Sequence, residues 1–492
     1  MVLGRSGLHR AACGWLALAS LFFYGYWAPE YLFLLLASVT GNYVLGQAIL
    51  RALTEARQRP AKILLSCAVA LNIGALGYFK YANFFVDTLS YVMAIHIEIS
   101  RVILPIGISF FTFTQIAYLV DTFQGKVRET NPIHYLLFVT YFPHLIAGPI
   151  LHHAEMMPQF RDTATYRFSR ESFLSGTFVF LIGLFKKVVL ADGIQPYVGP
   201  VFDAPIDQPL TIIEAWGGAL AYTLQLYFDF SGYSDMAIGL SRMFNIELPL
   251  NFNSPYKATN IIDFWRRWHM TLSRFLRDYL YIPLGGNRKG GMRRYENLMA
   301  TMLLGGLWHG AGWSFVVWGG LHGCYLAVNH AWQTVGQRMG FGRVGPATLR
   351  RLVSLLVTFL CVVVAWVFFR AKDIDSAMRV LRGMFDMSGV VLPEQTVVSE
   401  WLVGQLPGLQ MGNLVAFGGD RQIAWTLSLL VLALGAPNTQ EVVERLRRQH
   451  WPARLPSAEI SSLAVGAMFF WVLVLLMINE TRGVSEFIYF NF

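Results

Sequence analysis

Nine stretches of this 492-residue chain are apolar and almost free of charge: 11–23, 31–50, 63–78, 173–190, 212–228, 315–328, 352–369, 423–434 and 460–478. A helix that crosses a bilayer needs about 20 mostly apolar residues. Several of these runs are long enough, and the shorter ones suit re-entrant pieces, so the expectation is about eleven spans. Inside lipid only helices and closed barrels satisfy every backbone group. The runs are continuous rather than alternating, which selects helices: an all-α polytopic membrane protein with added interfacial and re-entrant helices. Composition agrees, because 14% of the residues are charged against roughly 25% in a soluble domain.

The net charge of +9 is gathered into loops beside the apolar runs. Arg51, Arg57, Arg59 and Lys62 crowd one loop; Arg266, Arg267, Arg274, Arg277, Arg288, Lys289, Arg293 and Arg294 a second; Arg445, Arg447, Arg448 and Arg454 a third. Loops rich in Lys and Arg stay cytoplasmic, so the three are expected on one side. Basic residues so placed argue against a nucleic-acid partner. Cys13, Cys67, Cys324 and Cys361 lie in apolar runs without a CxxC pair, which predicts core residues rather than disulfides or zinc. No metal site is expected. Residues 1–28 resemble a signal peptide but lack a small-residue cleavage site, so they read as an uncleaved first helix. No linker or repeat divides the chain, which reads as a single transmembrane domain over 1–492. Its catalytic core is placed at about 100–335, with a less regular segment at 370–419 that includes the helical pattern AKDIDSAMRVLRGM.

Polar residues in such a chain are costly and mark cavities or partners. Segment 303–323 sets His309 and His322 among seven glycines. An unbroken helix would hold the two about 140° apart, so either the helix breaks near Gly310–Gly312 or the two serve different purposes. A histidine is suited to taking a proton from an alcohol near neutral pH, but it can equally tie two helices together by a hydrogen bond. Segment 263–287 predicts one amphipathic helix with ion pairs Asp263–Arg267 and Arg274–Asp278, lying in the membrane interface. Its arginines are solvated or bound to lipid phosphates, or else Arg266, Arg267 and Arg274 steer an anionic acyl donor. His269 in the same stretch is a candidate inward contact. QLYFDFSGYSD places Asp229 and Asp235 in or near a span, where carboxylates need partners, and the arginines are the expected ones. FPHLIAGPILHH (142–153) predicts a kinked re-entrant turn, and the adjacent His152 and His153 suit a metal poorly. HExxH, Walker and GxSxG patterns are absent, which removes the common metalloprotease, ATPase and hydrolase readings.

These motifs resemble the membrane-bound O-acyltransferase (MBOAT) superfamily, in its bacterial branch of alginate O-acetyltransferase membrane subunits. The resemblance rests on GYFKYANFF, LPIGISFFTF, FPHLIAGPI, QLYFDFSGYSDMAIGL, FWRRWHMTLSRFLRDYLYIPLGGNR, LLGGLWHGAGWSFVVWGGLHG and the terminal FIYFNF, and covers nearly the whole chain. It implies an essential histidine at His309 beside Trp308, a second at His269, and a less defined role for His322. It further implies a central tunnel and acetyl transfer from a cytoplasmic donor, acetyl-CoA, with no bound cofactor. Periplasmic partner proteins would modify an exopolysaccharide such as alginate, which places the chain in the bacterial inner membrane. Acetylation of cellulose or peptidoglycan and D-alanyl transfer to teichoic acid are the alternatives within the family. A transporter or flippase is the alternative outside it, and the internal symmetry it predicts is not seen. The family usually starts with one more apolar span ahead of the segment matching 13–50, so a start further upstream is expected.

Overall fold

The computed structural model describes residues 2–95, 97, 100–127, 130–339, 346–386, 390–394, 396–405 and 410–448, with isolated positions between 466 and 488. The run at 460–478 and the terminal FIYFNF therefore lie largely outside the described residues. Packing groups the chain into two compact units interleaved in sequence: 1–181, 233–250 and 446–465 in the first, 182–232, 251–445 and 466–492 in the second.

The first unit is built from α1 (His9–Trp27), α2 (Leu32–Thr54), α3 (Gln58–Leu76), α4 (Ala82–Met93), α5 (Ile108–Phe123), α6 (Pro132–Thr140), α7 (His153–Arg161) and most of α8 (Arg170–Phe185). Ile49, Ala52, Ala61, Ala68 and Leu119 form a core where α2, α3 and α5 meet. Asn42 and Asn72 exchange amide hydrogen bonds across α2 and α3, at 3.2 and 2.6 Å, so neither polar group is left bare in an apolar contact. The predicted turn at 142–153 is present as a buried non-helical segment between α6 and α7. It ends at His153, whose Nδ1 lies 3.2 Å from the buried Asp121 carboxylate.

The second unit holds the N-terminal part of α9 (Ile212–Met243), then α10 (Ile261–Trp265), α11 (Met270–Leu276), α12 (Gly291–His309), α13 (Trp313–Met339), α14 (Ala347–Arg370) and α15 (Ile374–Met384). It continues through α16 (Val397–Gln405), α17 (Gly419–Gly435) and α18 (Thr439–Arg448). The AKDIDSAMRVLRGM pattern is α15, capped by Asp373, whose side chain accepts the Ser376 N–H at 2.7 Å. The all-α expectation has one exception: β1 (Val391–Pro393) pairs in parallel with β2 (Gln410–Gly412), inside the segment expected to be irregular. Four helical segments among the described residues are long and apolar enough to cross a membrane: Pro29–Thr54, Gln58–Met93, Arg170–Phe202 and Ala347–Arg370.

All four cysteines are free, but only Cys13 is buried, while Cys67 and Cys324 are exposed and Cys361 is half-buried. The expectation of core cysteines is corrected for the last three. Apolar runs bury only one face of a helix within protein, and a thiol on the opposite face meets lipid at no polar cost.

Candidate active site

The break left open by sequence is real. α12 ends at His309 and α13 begins at Trp313. A side chain at Gly310 would overlap the Phe315 ring, and one at Gly306 would strike the Phe315 carbonyl and the Gly319 backbone. The glycines thus let α12 and α13 touch backbone to backbone, as small residues do between membrane helices. This hairpin sets the histidines on opposite limbs with Trp318 between them. The Trp318 ring lies 5.0 Å from His309 and 4.8 Å from His322. Trp308 and Phe369 complete the apolar surround of His309 at 5.0 and 5.2 Å. His322 is also faced by Trp265 at 5.1 Å and Phe264 at 6.0 Å. It is fully buried, and neither of its ring nitrogens has a hydrogen-bond partner among the described residues. The Trp318 indole N–H is unpartnered in the same sense.

His269 joins this cluster by a route that helical periodicity misses. The continuous helix expected over 263–287 is corrected to two short helices, α10 and α11, with a turn between them and a π-turn at Arg277–Tyr281. The interruption has a long-range cause. The Asn253 N–H donates to the Arg267 carbonyl at 2.9 Å, and the Met270 N–H to the Asn251 carbonyl at 2.9 Å. Segment 251–253 thereby takes the backbone groups that a continuous helix would have used. His269 is left at φ +42°, a left-handed conformation that costs a non-glycine residue about 1–2 kcal/mol and that clusters at functional sites. Its Nδ1 lies 3.2 Å from Asn251 Oδ1, which also accepts from Thr271 Oγ1 at 2.6 Å. With Oδ1 as acceptor, Nδ1 carries the proton and Nε2 is the basic nitrogen. Phe230 holds the opposite side edge to face at 4.8 Å. The His269 and His309 rings are 6.2 Å apart.

A cavity of about 570 Å³ adjoins the cluster. Its lining includes Arg266, Arg274, Arg277, Met270, Met302 and Trp265. Trp265 is shared with the cage of His322, and Met270 directly follows His269. The cavity therefore combines cationic side chains, apolar wall and proximity to the histidines. Of the three arginines singled out by sequence, Arg266 and Arg274 line it. Arg267 does not: it binds Asp263 at 2.9 Å, as predicted, and the Asn253 carbonyl at 3.3 Å. The predicted Arg274–Asp278 pair is corrected, since Asp278 instead binds Arg277 at 2.7 and 3.1 Å. Arg277, its neighbour in the π-turn closed by Ile282 N–H to Arg277 O, occupies both oxygens of the Asp278 carboxylate.

Asp229 is buried, and its partner is Lys187 rather than an arginine. Lys187 Nζ lies 2.8 Å from Asp229 and 2.8 Å from Asp192, all three buried. The backbone N–H of Ile488 donates to Asp229 at 3.1 Å. Asp235 is buried further along α9, in the first unit. Sequence reasoning missed Asn251, Lys187 and Trp318. A polar residue ahead of a tryptophan-rich basic stretch is the one signal that pointed to Asn251.

Residues 71–348 match the MBOAT, membrane-bound O-acyltransferase family. The chain is 47% identical to a peptidoglycan O-acetyltransferase of Helicobacter pylori, over 77% of this chain and 74% of that protein. It is 43% identical to a probable alginate O-acetylase of Pseudomonas putida, over 81% of this chain and 79% of that protein. More distant is a teichoic acid D-alanyltransferase of Bacillus subtilis, 29% identical over 44% of this chain and 56% of its own length. A mostly helical membrane chain with buried histidines beside a cationic cavity, matched over more than half its length, is an acyltransferase of the membrane-bound O-acyltransferase family.

Proposed function

We propose that this chain is a multi-pass inner-membrane O-acetyltransferase that moves acetyl groups from cytoplasmic acetyl-CoA toward a hydroxyl-bearing polysaccharide outside the membrane, through about eleven spans around a central tunnel. The observation that carries this reading is an arginine-lined cavity whose wall shares Trp265 with the surround of His322 and includes Met270, the residue after His269. A coenzyme A thioester presents phosphates, which arginine recognises, and a thioester carbonyl that must reach the histidines. His309 takes the proton from the attacking hydroxyl. The hydroxyl oxygen bonds to the carbonyl carbon, the carbon–sulfur bond breaks, and the departing thiolate receives the proton from the imidazolium. In a second assignment of roles, His309 orients the carbonyl. The dry aromatic surround strengthens either interaction, because charge developing there is poorly screened. His269, His322 and Trp308 are the supporting candidates, and the Lys187–Asp229 pair is structural. Periplasmic partner proteins complete delivery to an exopolysaccharide such as alginate.

Peptidoglycan is the second reading for the acceptor, favoured by the 47% identity to a peptidoglycan O-acetyltransferase. Radiolabelled acetyl-CoA supplied to inverted vesicles tests the activity: label should reach partner protein or glycan, and uptake without transfer would identify a carrier instead. Base-labile acetate measured separately on muropeptides and on exopolysaccharide assigns the acceptor.

A further inference from the structure

In the first unit a second cavity, of about 560 Å³, opens where α2 passes into α3. We infer that this cleft binds the phosphate-bearing head of an anionic phospholipid. The inference is independent of the chemistry proposed for the histidine site.

Charge supports it first. Residues 51–62 carry Arg51, Arg57, Arg59 and Lys62 against one acid, Glu55. Arg51 and Arg57 both line the cleft. Glu55 is already engaged by Arg57 at 3.3 Å, while Arg51 has no ion pair among the described residues. A further donor lies in the wall: Gln47 is part of the lining, and its side-chain nitrogen is buried and has no acceptor among the described residues.

The cleft is also preformed. Arg57 N–H bonds to the Ala52 carbonyl at 2.8 Å, and Ala56 N–H to Leu53 at 3.0 Å, with Ala56 at φ +57°. This tight turn fixes Arg57 relative to the end of α2. Tyr43 forms another part of the wall and is held by its hydroxyl on the Thr130 carbonyl at 2.6 Å. The volume lies within the roughly 300–1,000 Å³ of small-molecule sites.

Depth argues for lipid as the source of the phosphate. From Leu32 to Arg51, α2 rises about 30 Å, the thickness of a hydrocarbon core. Both helices are among those able to span a membrane, so the turn between them sits at headgroup level. Val44, in the lining, is 58% exposed, and Ile63, Leu71 and Ile73 are exposed along α3. These apolar flanks offer acyl chains a path leading away from the cationic cleft. Basic pockets between spanning helices recognise anionic headgroups in this way.

The test is native mass spectrometry of the full chain released from nanodiscs containing phosphatidylglycerol and phosphatidylethanolamine. The wild-type protein should retain one phosphatidylglycerol in preference to the zwitterionic lipid. R51A/R57A should weaken that retention about thirtyfold, and the charge-preserving R51K/R57K should keep it within a few-fold. Equal retention of the two lipids, or unchanged retention in R51A/R57A, would overturn the inference. A third arm adds inorganic phosphate to delipidated protein. Thermal protection equal to that given by phosphatidylglycerol would make a soluble phosphate the ligand and would overturn the lipid assignment.

Discussion

The second unit buries two polar constellations and treats them in opposite ways. At Lys187 each charge faces an opposite one: the single ammonium lies 2.8 Å from each of two carboxylates, and Asp229 takes a backbone N–H as well. Around His309 the rings of Trp308, Trp318 and Phe369 form an aromatic surround, and both ring nitrogens of His322 lack partners among the described residues. A buried polar group left without a partner costs about 1–3 kcal/mol. His322 and Trp318 together leave three such atoms, both ring nitrogens and the indole N–H, within one aromatic cluster. Charge density alone would have directed attention to the ion cluster, whereas unmet hydrogen-bonding capacity singles out His322 and the neighbouring Trp318.

The sharpest way to break this contrast is His309→Ala. Loss of a positioned proton acceptor should lower acetyl transfer about 10²–10⁴-fold, with membrane insertion and protein level unchanged. Normal acetylation of glycan by this variant would reduce His309 to a packing residue like those of the ion cluster. Next in size is Lys187→Met, which leaves Asp192 and Asp229 facing each other without a cation. The loss should be about 3–5 kcal/mol, read as a lowered melting temperature in detergent. Asp229→Asn should cost less, because Lys187 and Asp192 remain a neutral pair. If Asp229→Asn instead abolished turnover at unchanged stability, the ion cluster would belong to the chemistry and the comparison would fail.

The same contrast explains what was legible in the sequence. Long apolar runs become helices because each run satisfies its own backbone locally, and the helices at 9–27, 32–54 and 347–370 follow from their composition. The break at Gly310 was one of two readings that the sequence allowed, and the structure decides for it. The fate of 263–287 was hidden, because its periodicity is helical and the interruption comes from backbone bonds to residues 251–253. Lys187 was hidden for a related reason: it closes an apolar run, and only the fold brings Asp192 and Asp229 to it. The candidate histidines could be named from motifs, but their shared contact with Trp318 depends on the hairpin geometry.

A smaller effect tests packing rather than chemistry. Gly306→Ala should destabilise the α12–α13 hairpin by about 1–3 kcal/mol, since the added methyl meets the Phe315 carbonyl and the Gly319 backbone. It should lower activity through displacement of His309, and a variant with full activity and an unchanged melting temperature would show that the two helices can separate without disturbing the site.

The finest test uses two neighbouring arginines. Arg266 lines the cavity and has no ion pair among the described residues, while Arg267 is committed to Asp263 and the Asn253 carbonyl. A hydrogen bond to a charged group contributes about 1.5 kcal/mol, so Arg266→Ala should raise KM for acetyl-CoA by about tenfold at most, with kcat little changed, the signature of lost uniform binding. Arg267→Ala should leave that KM where it is and act, if at all, on stability, by no more than about 1 kcal/mol for an ion pair open to solvent. Equal KM effects from the two would mean that the cavity draws the donor by its general positive field. An effect of Arg267→Ala alone would move the donor site away from this cavity.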